Sequence, residues 1–177
     1  KSCGKEPQLH ALTADADVDV LHFTGFDAQK DAINFIEGLR QGMLKSIEMD
    51  IDDLQLLLLP QSEDRCDALL YDPMPGGSGL LDQLVENWRD VVHDAIAHLE
   101  GCSRGCETSC YACLRRYRNM FHHPELNRHE AVALLADWER PIEVGAEITP
   151  VRPNMGAAQA GGITHSERTF GQWLIEC

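Results

Sequence analysis

Cys102, Cys106, Cys110 and Cys113 stand within twelve residues, separated by three, three and two residues. Thiolates at such spacings can turn toward a common point, and Zn2+ takes four of them tetrahedrally with no position left open. A closed site of that kind contributes folding energy and does no chemistry. Gly101 and Gly105, beside the first two cysteines, fit a knuckle turn that calls for positive φ. Two alternatives use the same residues. Free or disulfide-bonded cysteines would leave reactive thiols side by side. An iron–sulfur cluster also takes four thiolates. The clustering favours a structural zinc.

Cys106, Cys110 and Cys113 alone repeat the CxxxCxxC spacing of radical SAM enzymes, yet the triplet comes late in the chain, Ala112 precedes Cys113, and a fourth cysteine is at hand. No βα repetition surrounds it. His122 and His123 could replace a cysteine, but four thiolates fill the site and leave the histidines to packing or surface roles. Cys3 with Gly4 resembles the second half of a zinc knuckle whose other ligands would lie upstream, while Cys66 and Cys177 read as unliganded.

Arg115, Arg116 and Arg118 follow the last cysteine, and Leu114, Tyr117 and Phe121 suggest a short helix that would carry them on its exposed sides. Guanidinium forks suit phosphate oxygens. From Cys102 to His129, five arginines face only Glu107 and Glu125, a local +3 in a chain of net charge −14. The acidic balance argues against a surface that wraps nucleic acid as a whole. Two readings stand for these arginines: contact with DNA, or solvated and internally paired charges.

Upstream, PGGSG precedes a helical pattern. It could offer backbone amides to a phosphate. Without a lysine in the loop, a tight strand-to-helix turn is favoured, with Ser78 as cap and glycines permitting positive φ. Asp72 would then order its own turn through side-chain to backbone bonds rather than act in catalysis.

The elements that must position these residues are readable from periodicity. Residues 18–24 alternate and contain β-branched and aromatic types, which predicts a strand. From Asp27 as N-cap, Ala32, Phe35, Ile36, Leu39, Met43 and Ile47 describe one face of an amphipathic helix that should cover a sheet. Residues 54–59, ended by Pro60, and 68–72 suit two buried strands joined by the polar stretch QSEDRCD. A second long helix carries Leu81, Leu84, Val85, Trp88, Val92, Ala95, Ile96 and Leu99 on one stripe. Asn127 and Glu130 make a capping-box-like start to a helix through Ala131, Leu134, Leu135 and Trp138, ended by Pro141. Residues 145–163 read as a linker.

The stretch CETSCYACLRRYRNMFHHPELNRHEAVALL, with YDPMPGGSGLLDQL about 30 residues earlier, resembles the MrfA-type zinc-binding domain. That domain sits at the C-terminal end of a group of superfamily 2 DEAD/DEAH-type DNA helicases and of related proteins in bacterial defence loci. The wording CETSCYACLRRYRN is most similar to the branch that includes the B component of the DISARM anti-phage system. The resemblance spans roughly residues 16–138. It implies that Cys102, Cys106, Cys110 and Cys113 hold zinc, and that Tyr71, Asp72, Pro75, Gly76, Gly77 and Gly79 form the family's turn. The gap from Cys102 to Cys106 is wider than in several helicase members. No GxxxxGK[ST] and no DExx[HD] box occurs in these 177 residues, so the motor itself is not among them.

The expected fold is α+β: a small sheet of about three strands covered by two long helices, with a four-cysteine zinc knuckle and a C-terminal helix. Residues 1–15 read as the tail of an upstream segment, 16–140 as the helicase-associated zinc-binding domain, and 141–177 as a linker and the start of a further segment. Both ends look cut. The expected function is a non-catalytic zinc-binding accessory domain in a helicase, fused or separate, supporting DNA handling in anti-phage defence or DNA repair. Two other classes stand beside it, a protein–protein docking module and an iron–sulfur enzyme. Neither a signal peptide nor a membrane span is evident, and a cytoplasmic setting follows.

Overall fold

In the computed structural model, described over residues 18–62 and 65–139, the chain is α+β. Strand β1 (Val20–Phe26) leads into helix α1 (Gln29–Ser46), followed by β2 (Gln55–Ser62) and β3 (Arg65–Tyr71). The sheet order is β1-β3-β2, with β3 antiparallel to both neighbours. β1 and β2 therefore run parallel on either side of β3, joined through α1 as a split βαβ unit. Two helices, α2 (Leu80–Glu86) and α3 (Trp88–Glu100), lead to the cysteine segment, and α4 (Arg128–Ala136) follows it.

α1 touches all three strands and also packs on α3 and α4. It is thus central among the described elements, and every residue from Ala32 to Met43 is buried. The apolar face expected for it is there, but the opposite face is buried too. Gly42 permits this: a Cβ there would lie 2.8 Å from the Ala95 Cβ and run into the Val91 carbonyl. At the other end of the core, Phe23, Phe26, Phe35, Trp88 and Trp138 pack with ring centroids 5.3 to 6.1 Å apart. Trp88 Nε1 donates to the Trp138 carbonyl at 3.0 Å, which fixes the chain after α4 against the start of α3.

Several local expectations are corrected. Asp27 is not the cap of α1; Ala28 holds that position in extended backbone without a side-chain bond. Pro60 does not end β2 but pairs with Cys66 inside it. A proline is tolerated there because β2 is an edge strand, where the missing N–H faces no partner. QSEDRCD is mostly strand, since β2 runs to Ser62 and β3 begins at Arg65. The single second helix is two, broken at Asn87 with φ −103° and ψ 18°. Pro141 and residues 145–163 lie outside the described residues.

Candidate metal centre

α3 delivers Cys102 to the site, since the helix ends at Glu100 and the Gly101 amide closes the last turn by donating to the Ala97 carbonyl at 3.0 Å. The chain then turns back on itself. Gly105 has φ 52°, as the knuckle demands, whereas Gly101 does not, at φ −81°. The Gly105 amide donates to the Cys102 carbonyl at 2.9 Å, and the Cys113 and Arg115 amides both donate to the Cys110 carbonyl. These two turns bring the four sulfurs together.

The Sγ separations are 3.7 Å for Cys102 to Cys106, 3.6 Å for Cys102 to Cys110, 3.6 Å for Cys106 to Cys113 and 3.8 Å for Cys110 to Cys113. All four sulfurs lie within 4.8 Å of one another. A tetrahedron with metal–sulfur bonds of about 2.3 Å has edges of about 3.8 Å. The sulfurs thus fit around one ion. An iron–sulfur cluster would spread the same thiolates over two or more irons and hold them further apart. Despite its wider gap to Cys106, Cys102 stands within the quartet, 3.7 and 3.6 Å from the Cys106 and Cys110 sulfurs.

The electrostatics of the quartet point the same way. The Arg104 amide beside Cys102, together with the Cys106 amide and the neighbouring thiols, outweighs burial and brings that thiol down to about 6. Burial and the adjacent thiols push Cys106 up to about 12, and burial also raises Cys113. Without a cation, one thiolate is favoured and its neighbours stay protonated. A divalent ion at the centre removes that conflict, and the amides of Cys110 and Ala112, 3.2 and 3.4 Å from Cys113 and Cys110 sulfurs, already face the thiolates. The four clustered cysteines are suited to binding zinc. Cys66 stands apart in β3, buried, with its thiol pushed up to about 11 by that burial.

The segment is fastened by residues that periodicity did not single out. Arg128 donates from Nε to the Cys106 carbonyl at 2.8 Å and from Nη1 to the Leu99 carbonyl at 2.9 Å, tying α4 to the knuckle and to the end of α3. A cation at a helix C-terminus also meets its partial negative charge. Asn119 is buried; its Nδ2 donates to the Leu114 carbonyl at 2.9 Å and to Glu37 Oε2 at 3.0 Å, while its Oδ1 accepts from the Arg116 amide at 2.7 Å. Glu37 in turn accepts from Arg40 Nη1 at 3.1 Å, and Arg40 reaches the Leu54 and Ile51 carbonyls. Asn34 accepts from the Asn127 amide at 2.7 Å and donates to the Glu125 carbonyl at 2.9 Å. The available signal was a set of polar residues interrupting the apolar run INFIEGLRQGM.

No helix carries the three arginines. Between Cys113 and α4 the chain is turns and a single 3-10 turn, Met120–His122. Leu114 is fully buried, but Tyr117 and Phe121 point outward at 81% and 85% exposure. The knuckle sets this backbone, not the apolar spacing. Arg115 Nε donates to Ser109 Oγ at 2.9 Å; Arg116 donates to Gln41 Oε1 at 2.6 Å and to two carbonyls; Arg118 pairs with Asp52 at 2.6 Å. His123 Nε2 sits 2.9 Å from the Arg116 carbonyl, and His122 lies 3.7 Å from Glu125, so both histidines pack outside the quartet.

The glycine turn is a turn. Gly76, Gly77 and Gly79 have φ of 82°, 74° and 81°. Asp72, 2% exposed, accepts from the Met74 amide at 2.9 Å and from the Ser78 amide and hydroxyl. Burial alone would raise its carboxyl, but the bonds from Ser78 and Met74 outweigh it and hold the group below the ordinary aspartate value. Ser78 is thus spent on Asp72, and Gly79, not Ser78, occupies the position before α2. At α4, Asn127 does cap, accepting from the His129 amide at 3.0 Å.

The family model described as the MrfA Zn-binding domain matches residues 35–114, a stretch that holds the Asp72 turn and all four cysteines. The chain is 32% identical over 114 residues to the Druantia protein DruE of Escherichia coli, covering 60% of this chain and 6% of that relative. It thus spans a small part of the relative's length. A solved structure, the DUF1998 helicase MrfA bound to DNA, is similar at a TM-score of 0.48 and 18% identity, over 62% of this chain and 14% of the other.

Proposed function

We propose, from the match of residues 35–114 to the MrfA Zn-binding domain, that the chain is a non-catalytic accessory part of a DNA helicase, fused to the motor or docked on it. The observation that carries this reading is the closed quartet. Four sulfurs within 4.8 Å of one another, with four of their separations at 3.6 to 3.8 Å, would fill a tetrahedral ion's coordination and leave no open position for a substrate or water. When bound, the zinc supplies cross-linking of the chain.

What it would cross-link is the end of α3, the arginine segment and the start of α4. Arg115 supports contact with DNA most directly, because its guanidinium has a neutral partner, Ser109, and no carboxylate among the described residues. The likeness of CETSCYACLRRYRN to the DISARM branch supports a role in anti-phage defence, with DNA repair as the related setting. A reducing cytoplasm would keep four adjacent thiols available to zinc. Among the described residues, no helix is long and apolar enough to cross a membrane.

The test uses the full-length protein or complex that contains this chain. Purified without added metal, it should hold about one zinc per chain and no visible absorption band. Replacing Cys110 and Cys113 by serine should remove the zinc and lower DNA unwinding several-fold while the motor still binds ATP. Iron with a visible band would sink the reading, as would unwinding that is indifferent to loss of the metal.

A further inference from the structure

Six large apolar side chains stand exposed among the described residues, and four of them, Tyr111, Tyr117, Met120 and Phe121, fall in one short stretch at 63%, 81%, 47% and 85% exposure. This is not a frayed end. Cys113 and Leu114 are buried on one side of it, and Asn119, between Tyr117 and Met120, is held inward by bonds to Arg116, Leu114 and Glu37. Around this inward residue, Tyr117, Met120 and Phe121 face outward. The rings are therefore presented on a fixed backbone at a cost in exposed apolar surface that a partner must offset.

The character of the partner follows from charge. From Thr108 to Pro124 there is no aspartate or glutamate, in a chain with 29 acidic residues, and Arg115, Arg116 and Arg118 alternate with the aromatics. Tyr111 already meets His123 edge-on at 5.6 Å, whereas among the described residues neither Tyr117 nor Phe121 is paired with another ring. Open ring faces interleaved with guanidinium groups match a strand whose bases are unstacked and whose phosphates run alongside. In a duplex the base faces are covered, so the rings would gain nothing there.

Building on the reading that this segment meets DNA, we propose that Tyr117 and Phe121 form a stacking platform for unpaired bases of a single-stranded nucleic acid, with Arg115 and Arg118 on its phosphates. Arg118 exchanges Asp52 for a phosphate, giving up only an exposed ion pair that water and salt already weaken.

Fluorescence anisotropy of the full, zinc-loaded chain tests it with three labelled probes of about 20 nucleotides: oligothymidylate, an abasic strand of the same charge, and a duplex. The oligothymidylate should bind about tenfold tighter than either other probe, and Tyr117→Ala with Phe121→Ala should remove that preference. Tyr117→Trp with Phe121→Trp should keep it. Both alanine sites are exposed, and an unchanged zinc content shows that the fold persists. Equal binding of all three probes, unaffected by the alanine pair, overturns the platform and leaves the arginine contacts standing. No binding to any probe overturns both. Unchanged nucleic-acid binding, with loss of a co-purifying protein subunit in the alanine pair, identifies a protein-docking face and also overturns the platform.

Discussion

Asp72 and Arg115 show how differently single residues act here. Asp72 is the hub of its turn, so Asp72→Asn, which removes the charge and one acceptor oxygen, should destabilise the domain by about 1–3 kcal/mol at neutral pH. The sign with pH is set by its lowered carboxyl. A depressed folded value means that the carboxylate contributes stability above the ordinary aspartate value of about 3.9, and that this is lost as pH falls through the folded value. The difference in melting temperature between wild type and Asp72→Asn should thus shrink below about pH 4; a difference that widens in acid would be inconsistent with the bonds described. For Arg115 the proposed role is contact with DNA. If it meets a phosphate, Arg115→Ala lowers DNA affinity and reduces the slope of log K against log salt by about one, with melting hardly changed. An unaltered salt slope would assign Arg115 to the loop alone.

At the level of elements, packing around α1 dominates, and its two glycines separate backbone from side-chain crowding. Gly42 faces the backbone of α3, whereas a Cβ at Gly38 would meet the ends of Leu135 and Leu99 at 2.9 and 3.3 Å and the Ala131 Cβ at 3.4 Å. Flexible side chains give way where a carbonyl does not. Gly42→Ala should therefore cost about 1–3 kcal/mol or more, and Gly38→Ala distinctly less, in denaturant melts; the reverse order would mean that α1 and α3 are not so close. These same elements mark how far the sequence could be read. Period-2 and period-3.6 patterns placed β1, α1 and α3 because their apolar faces bury against whatever lies opposite, and the cysteine spacing located the metal quartet before any coordinate. Pro60 misled because a missing N–H matters only inside a sheet, and strand order is not written locally. Asn34, Glu37 and Gln41 were illegible as buried residues because their partners, Asn127, Asn119 and Arg116, lie far along the chain. Tyr117 and Phe121 carried a helical spacing that the knuckle overrides.

For the whole molecule, the decisive contrast is between a part that holds itself together and a part that the metal holds. The sheet, α1 and α3 share a continuous apolar core in which Phe35, Ile36, Leu39, Leu70 and Leu99 are fully buried. Between α3 and α4, by contrast, the only regular element is the short turn Met120–His122, although Cys113, Leu114 and Leu126 must reach that core. Hydrogen bonds alone are a weak fixative for such a segment, each contributing about 1 kcal/mol net. Chelation under reducing conditions should then raise amide exchange over residues 102–126 and α4, with β3 and the middle of α1 staying protected. Acid should act like the chelator. Zinc needs thiolates, and protons compete with it for the same sulfurs, so metal release monitored by a chromophoric chelator should increase toward acid. If the metal-free chain lost protection everywhere in one transition, the zinc would be part of the global fold rather than a clasp on one segment. If protection did not change at all, Arg128 and Asn119 would suffice without it. Between those outcomes lies the one the geometry favours, in which α4 loosens because Arg128 ties it to the metal-bearing turn, and the arginine segment loosens with it because it follows directly on Cys113.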